Sequence, residues 1–140
     1  MILPRKKYLN SLTKKIVSSA ILLFNNNNEL LIVKPNYKDH WSLPGGTSEK
    51  NESPYNTCLR EVEEEISLKF KEITLSAIFY RNYLKDNAEA IHLFFYGGYL
   101  NKNQTNSIKI NLAELENYRF VPINKLAKYN KVLAKRILMI

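Results

Sequence analysis

The sequence predicts an α/β fold on three observations. Two runs of apolar and β-branched residues, Ile16 to Phe24 and Glu29 to Lys34, read as strands. A capped helix follows from Pro54 to about Ile66. Two more aromatic-rich strands and a closing amphipathic helix complete the alternation of strand and helix. At 140 residues the chain suits one domain with a proper core, and 45% hydrophobic with 24% charged residues is ordinary for a soluble globular protein. No apolar run approaches the roughly 18 residues of a membrane span, and the N-terminus lacks a signal-peptide core, so the expectation is a cytoplasmic protein with no membrane partner. The single cysteine, Cys58, reads as a small buried residue in a reducing compartment.

Taken in order, residues 1–15 are basic through Arg5, Lys6, Lys7, Lys14 and Lys15. They read as a solvated arm, an edge strand or a phosphate-contacting tail. The first two strands flank the polar turn Asn25 to Asn28 and form a hairpin. Trp41 precedes the glycines as a core anchor, and His40 is a loop surface residue. Ile73 to Tyr83 and Ala90 to Leu100 are strands around the turn Lys85-Asp86-Asn87, with aromatics alternating between two sheet faces. Asn101 to Ser107 is a polar loop, and Ile108 to Leu112 extends or pairs with a strand. Asn124 to Ile140 is an amphipathic helix: Leu126, Val132, Leu133 and Ile137 face in, while Lys125, Lys128, Lys131, Lys135 and Arg136 face out.

The chemistry concentrates between Gly45 and Leu68. Six of the thirteen acidic residues lie there (Glu49, Glu52, Glu61, Glu63, Glu64, Glu65) against only Lys50 and Arg60. The stretch thus carries about −4, and the rest of a chain of net charge +8 carries about +12. An acidic patch on a basic body suits divalent cations and a polyanionic ligand. Gly45 and Gly46 allow close approach to the main chain. Ser53 is the N-cap and Pro54 the first helical residue. At helical spacing Tyr55, Cys58, Leu59, Val62 and Ile66 form a core face, Glu61, Glu64 and Glu65 share an adjacent face, and Glu63 points to solvent. Three like charges on one face repel, a cost that Mg²⁺ or Mn²⁺ would remove. The plainer alternative is a solvated acidic face.

This stretch resembles the Nudix box, G-x5-E-x7-R-E-U-x-E-E-x-G-U with U a bulky aliphatic residue. Gly46, Glu52, Arg60, Glu61, Val62, Glu64, Glu65 and Leu68 fall at the required spacing, and Ser67 stands in place of the second glycine. The preceding WSLPGG and the late ELENYRFVPINKL are similar to the family's flanking segments, so the resemblance spans Lys15 to Lys128. It implies an α/β/α sandwich around a mixed sheet, and a pyrophosphohydrolase that cleaves a nucleoside diphosphate linked to another moiety. It further implies Glu61, Glu64, Glu65 and the Gly45 carbonyl as ligands of Mg²⁺ or Mn²⁺. Glu64, Glu65 or Glu114 would be the general base, with Glu116 the second choice for the late acid. Gly46, Glu52 and Arg60 would support the site, the last two as a pair. Nucleoside triphosphates, ADP-ribose, dinucleoside polyphosphates and RNA 5′ ends are the open substrates, for a monomer or homodimer. A silent nucleotide-binding regulator and a nucleic-acid binder using the basic tail are the readings from other classes.

Overall fold

A six-stranded mixed sheet divides the apolar core into two halves in the computed structural model, which describes residues 3–83 and 88–140. The elements are α1 (Arg5–Ser11), β1 (Ile16–Phe24), β2 (Glu29–Pro35), β3 (Gly45–Thr47), α2 (Pro54–Ile66), β4 (Thr74–Tyr83) and β5 (Ala88–Tyr99). They continue with α3 (Lys102–Asn106), β6 (Leu115–Pro122), a 3-10 helix (Ile123–Lys128) and α4 (Lys131–Ile137). Strand order is β4-β5-β1-β2-β6, with β3 against β1; β1 and β5 run parallel and the other pairs antiparallel.

Strand alternation decides which residues meet which helix. Ile21, Leu23, Leu31 and Val33 pack with Cys58, Val62 and Ile66 of α2. Leu22, Leu30, Ile32 and Phe94 pack on the opposite face with Leu126, Leu133 and Ile137. Covered on both faces, β2 reads as an unbroken apolar run, and each residue from Leu30 to Val33 is fully buried. Trp41 packs into the second half of the core, edge-on to Tyr129 at 5.7 Å.

The β1–β2 hairpin closes only at its turn, where Phe24 pairs with Leu30. Beyond that the strands splay, and residues 42–47 run between them. Ser42 exchanges both backbone hydrogen bonds with Val33, Ile21 donates its N–H to Pro44, and Gly45 to Thr47 pair with Ala20 to Ser18. A sheet opened in this way leaves a cleft at the splayed end, and the functional residues gather there.

The structure departs from the sequence reading in four places. Residues Arg5–Ser11 form helix α1 and not an edge strand, and they bury no side chain, so the basic segment is solvated but helical. Residues Lys102–Asn106 form a helical turn because Asn101 and Gln104 make reciprocal capping-box bonds. Residues 108–112 join no strand: Ile108 and Ile110 pack on the core, while the N–H groups of Lys109 and Asn111 donate to the carbonyls of Ile66 and Glu65. The C-terminal helix is broken at Asn130, whose side chain caps α4 by accepting from Leu133 N–H and donates to the Trp41 carbonyl. Restarting there leaves Val132 60% exposed and turns Arg136 partly inward. The predicted turn Lys85-Asp86-Asn87 lies outside the described residues. Among the described residues no helix is long and apolar enough to cross a membrane.

Candidate active site

Helix α2 is set by local chemistry before it contributes to any site. Ser53 Oγ accepts from Asn56 N–H at 3.1 Å, and Pro54 occupies the first turn, where no donor is needed. The helix ends at Ser67, which adopts the left-handed conformation (φ 63°, ψ 29°) and donates its hydroxyl to the Lys109 carbonyl at 2.8 Å. This is the position where the sequence pattern has glycine, and the backbone geometry explains that preference.

Glu52 and Arg60 form a two-pronged ion pair, with Nε to Oε2 at 2.7 Å and Nη2 to Oε1 at 2.9 Å. The buried Thr57 hydroxyl lies 2.8 Å from Glu52 Oε1 and 2.7 Å from Ser48 Oγ, so the pair is seated on α2. Bonding from Arg60, then from Thr57, lowers the Glu52 pKa to about 2. Arg60 Nη1 reaches further, to Glu61 Oε1 at 2.8 Å and Glu64 Oε2 at 3.2 Å. One guanidinium thus binds loop to helix and holds two of the predicted ligand carboxylates.

Glu65 is turned inward, 6% exposed, and its Oε1 accepts from Gly45 N–H at 2.7 Å. Burial pushes its pKa up to about 8, opposed by the Gly45 bond, and the negative charges of Glu61 and Glu114 add to the rise. Burial likewise raises Glu61, against the pull of Arg60. The glycine pair serves close packing within the protein. A Cβ on Gly45 would lie 2.0 Å from the Ser19 carbonyl oxygen, and one on Gly46 would strike the Glu61 carboxyl group.

Glu61, Glu65 and Glu114 line one cleft of about 710 Å³. Glu114 comes from the loop before β6, whereas Glu116 pairs with Lys34 at 3.2 Å. Glu64, its carboxylate about half exposed, shares Arg60 Nη1 with Glu61, and Glu63 is exposed beside Lys69. Among the described residues no three His, Cys, Asp or Glu side chains stand preassembled at ligand spacing; Arg60 engages Glu61, and Gly45 N–H engages Glu65. The donor set nevertheless fits a divalent cation. The oxygens are hard, the charge of Glu114 bears on both Glu61 and Glu65, and burial disfavours the ionised forms of Glu61 and Glu65. A cation relieves both terms.

The same cleft holds Lys38, Arg81, His92 and Arg136, which sequence reasoning gave no part in the site. His40, read as a loop surface residue, is exposed and also lines it. The one legible hint was His92 itself, a polar residue at an inward position of an aromatic strand. Thr57 and Ser48 were equally unmarked, since their role depends on burial beside Glu52.

A family model, the NUDIX domain, matches residues 14–139. The human diphosphoinositol polyphosphate phosphohydrolase NUDT4B is 42% identical over 53 residues, 38% of this chain and 29% of that protein. The aligned stretch therefore spans less than a third of that relative's length. Among solved structures, the MutT protein of Methanosarcina mazei Go1 is 25% identical at a TM-score of 0.72, covering 90% of this chain and 95% of that one. A C. elegans Ap4A hydrolase is 14% identical at a TM-score of 0.64, covering 87% of this chain and 96% of that one, a likeness of fold.

Proposed function

The chain belongs to the NUDIX domain family, and on that premise we propose that it is a divalent-metal-dependent hydrolase of the pyrophosphate bond in a nucleoside diphosphate linked to another moiety. One observation supports this reading above the others: Glu61 and Glu65 from α2 and Glu114 from the loop before β6 line one cleft, beside a braced Arg60. Glu61, Glu64, Glu65 and the Gly45 carbonyl would hold Mg²⁺ or Mn²⁺. Bound there, the ion offsets phosphate charge and lowers the pKa of a water molecule.

The protein's own residues do the positioning. The Glu52–Arg60 pair fixes the loop to α2, and Arg60 Nη1 orients the Glu61 and Glu64 carboxylates. Gly45 N–H holds Glu65 in one rotamer. Glu114, Glu65 and Glu64 are the candidate acceptors for the proton of the attacking water. Cys58, buried with its thiol pushed up to about 12, is inert packing and suits a reducing, cytoplasmic setting.

The test is product release from a panel of pyrophosphates: nucleoside triphosphates, ADP-ribose, a dinucleoside polyphosphate, a diphosphoinositol polyphosphate and a 5′-triphosphorylated RNA. Each is assayed with Mg²⁺, with Mn²⁺ and with chelator, beside Glu61→Gln and Glu64→Gln. Metal-dependent cleavage lost in both variants supports the enzyme. Tight nucleotide binding without turnover across the panel would instead assign a regulatory, non-catalytic domain.

A further inference from the structure

The cleft contains a second, oppositely charged group of residues drawn from four separate elements. His92 of β5 pairs in register with Ser18 of β1 on one side and Phe79 of β4 on the other, so the three residues form a row across the sheet. Arg81 follows on β4 with its side chain on the same face as Phe79. Arg136 of α4 places its guanidinium 5.1 Å from the Phe79 ring centre, over this row. Lys38 comes from the loop after β2, and all three cations line the cleft with His92. Within the row, Ser18 Oγ hydrogen-bonds His92 Nδ1. His92 Nε2 is buried and has no hydrogen-bond partner among the described residues.

We propose that Lys38, Arg81, Arg136 and His92 Nε2 form an anion subsite that receives a phosphate group on the part of the substrate remote from the scissile pyrophosphate. The substrate class is therefore a pyrophosphate whose other moiety is itself phosphorylated. This rests on the hydrolase reading above and narrows it.

The chemistry supports the assignment in two ways. Three cations on one wall favour a multiply charged anion, and arginine offers paired donors to phosphate oxygens. His92 stays neutral, its pKa lowered to about 4 by burial and then by Arg136, Arg81 and Lys38. In the tautomer whose Nδ1 accepts from the Ser18 hydroxyl, the neutral ring carries its proton on Nε2 and presents a donor without adding charge. The carboxylate group of Glu61, Glu65 and Glu114 lines the same cleft. One end of a substrate would meet the carboxylates with their metal, and a phosphate on its other end would meet the cations.

The experiment has two arms. In the first, inositol hexakisphosphate, which has no pyrophosphate bond, is titrated calorimetrically into the full chain in EDTA. Binding is expected in the wild type, weakened at least about tenfold by the double change Arg81→Gln and Arg136→Gln. It is expected to be unchanged by Lys6→Gln with Lys7→Gln on the exposed helix α1, outside the cleft lining. Equal affinity in the arginine variant, or an equal loss in the α1 variant, overturns the subsite. In the second arm, KM is compared for ADP-ribose and its 2′-phosphorylated form, and for a diphosphoinositol polyphosphate. The arginine variant should raise KM for the phosphorylated substrates alone, and which of them responds distinguishes a nucleoside from a cyclitol source. A common KM shift for all three overturns the proposal. If the wild type cleaves nothing, the hydrolase reading fails, while the first arm still decides the subsite by itself.

Discussion

Gly46 and the Glu61 carboxyl group occupy one space: a Cβ on Gly46 would lie 2.4 Å from Glu61 Cδ. The obstacle is the end of a side chain, so Gly46→Ala displaces a carboxylate while leaving the fold intact. Turnover should fall by about 100-fold with little change in melting temperature, since small misplacements of catalytic geometry cost that much. Gly45→Ala meets the β1 backbone instead, and should cost about 1–3 kcal/mol or more in urea unfolding. Equal effects of the two changes on stability would refute this division.

Arg60 touches Glu49, Glu52, Glu61 and Glu64 at once. Lysine keeps the charge but cannot form the two-pronged contact. Arg60→Lys should therefore lower metal-dependent turnover by about 10- to 100-fold, with a weaker apparent metal affinity. A metal titration identical to that of the wild type would remove Arg60 from the support of the site.

Metal should stabilise the protein as well as activate it. Burial and the charge of Glu114 disfavour the ionised forms of both Glu61 and Glu65. At a hundredfold excess over its dissociation constant, Mg²⁺ should add about 2.7 kcal/mol, or roughly 5–10 °C in melting temperature. Chelator should reverse the gain, and Glu61→Gln should diminish it. A melting curve indifferent to Mg²⁺, Mn²⁺ and chelator would count against a metal at this cluster.

Ser67 balances two terms of similar size. Its left-handed backbone costs about 1–2 kcal/mol relative to glycine, and its hydroxyl bond to Lys109 returns about 0.5–1.5 kcal/mol. Ser67→Gly should change stability by less than about 1 kcal/mol. Ser67→Ala keeps the strain and loses the bond, so it should be the more damaging change. The reverse ranking in denaturant melts would place the helix end elsewhere.

His92 gives the stability profile a distinct acid limb. Its ordinary pKa of 6.5 is lowered to about 4 in the folded protein by burial and by Arg136, Arg81 and Lys38. The unfolded chain therefore takes up the proton first. The contribution of His92 is fully present above about pH 6.5 and is lost as pH falls toward 4. Unfolding measured between these limits should show a shallower pH slope in His92→Gln than in the wild type, and an unchanged slope would disprove the assignment.

The amphipathic pattern of α2, its Ser53 cap and the inward positions of β1 and β2 were legible because each depends on local spacing and local hydrogen bonds. The same is true of Glu52 and Arg60, eight residues apart on either side of one capped helix start. Residues 5–11, 102–106 and the break at Asn130 were not, since short helices are decided by caps and by the neighbours they find. The Asn130 side chain donates to Trp41, far away in sequence. Glu114 could be ranked over Glu116 only through family spacing; the structure separates them by giving Glu116 to Lys34.

The sequence by itself determined the alternation of strand and helix, the acidic helix face and the glycine-to-leucine spacing that marks the family. Tertiary structure alone decided the rest. It splayed β1 from β2, turned Glu65 inward onto Gly45, left Glu64 half-exposed on Arg60, and set Arg81, His92 and Arg136 around one row of the sheet. The physical reason is range. Backbone propensity and side-chain periodicity act over a few residues and are written in order along the chain. The charge environment of a carboxylate or an imidazole depends on what the fold brings within a few ångströms, and no spacing along the chain records that.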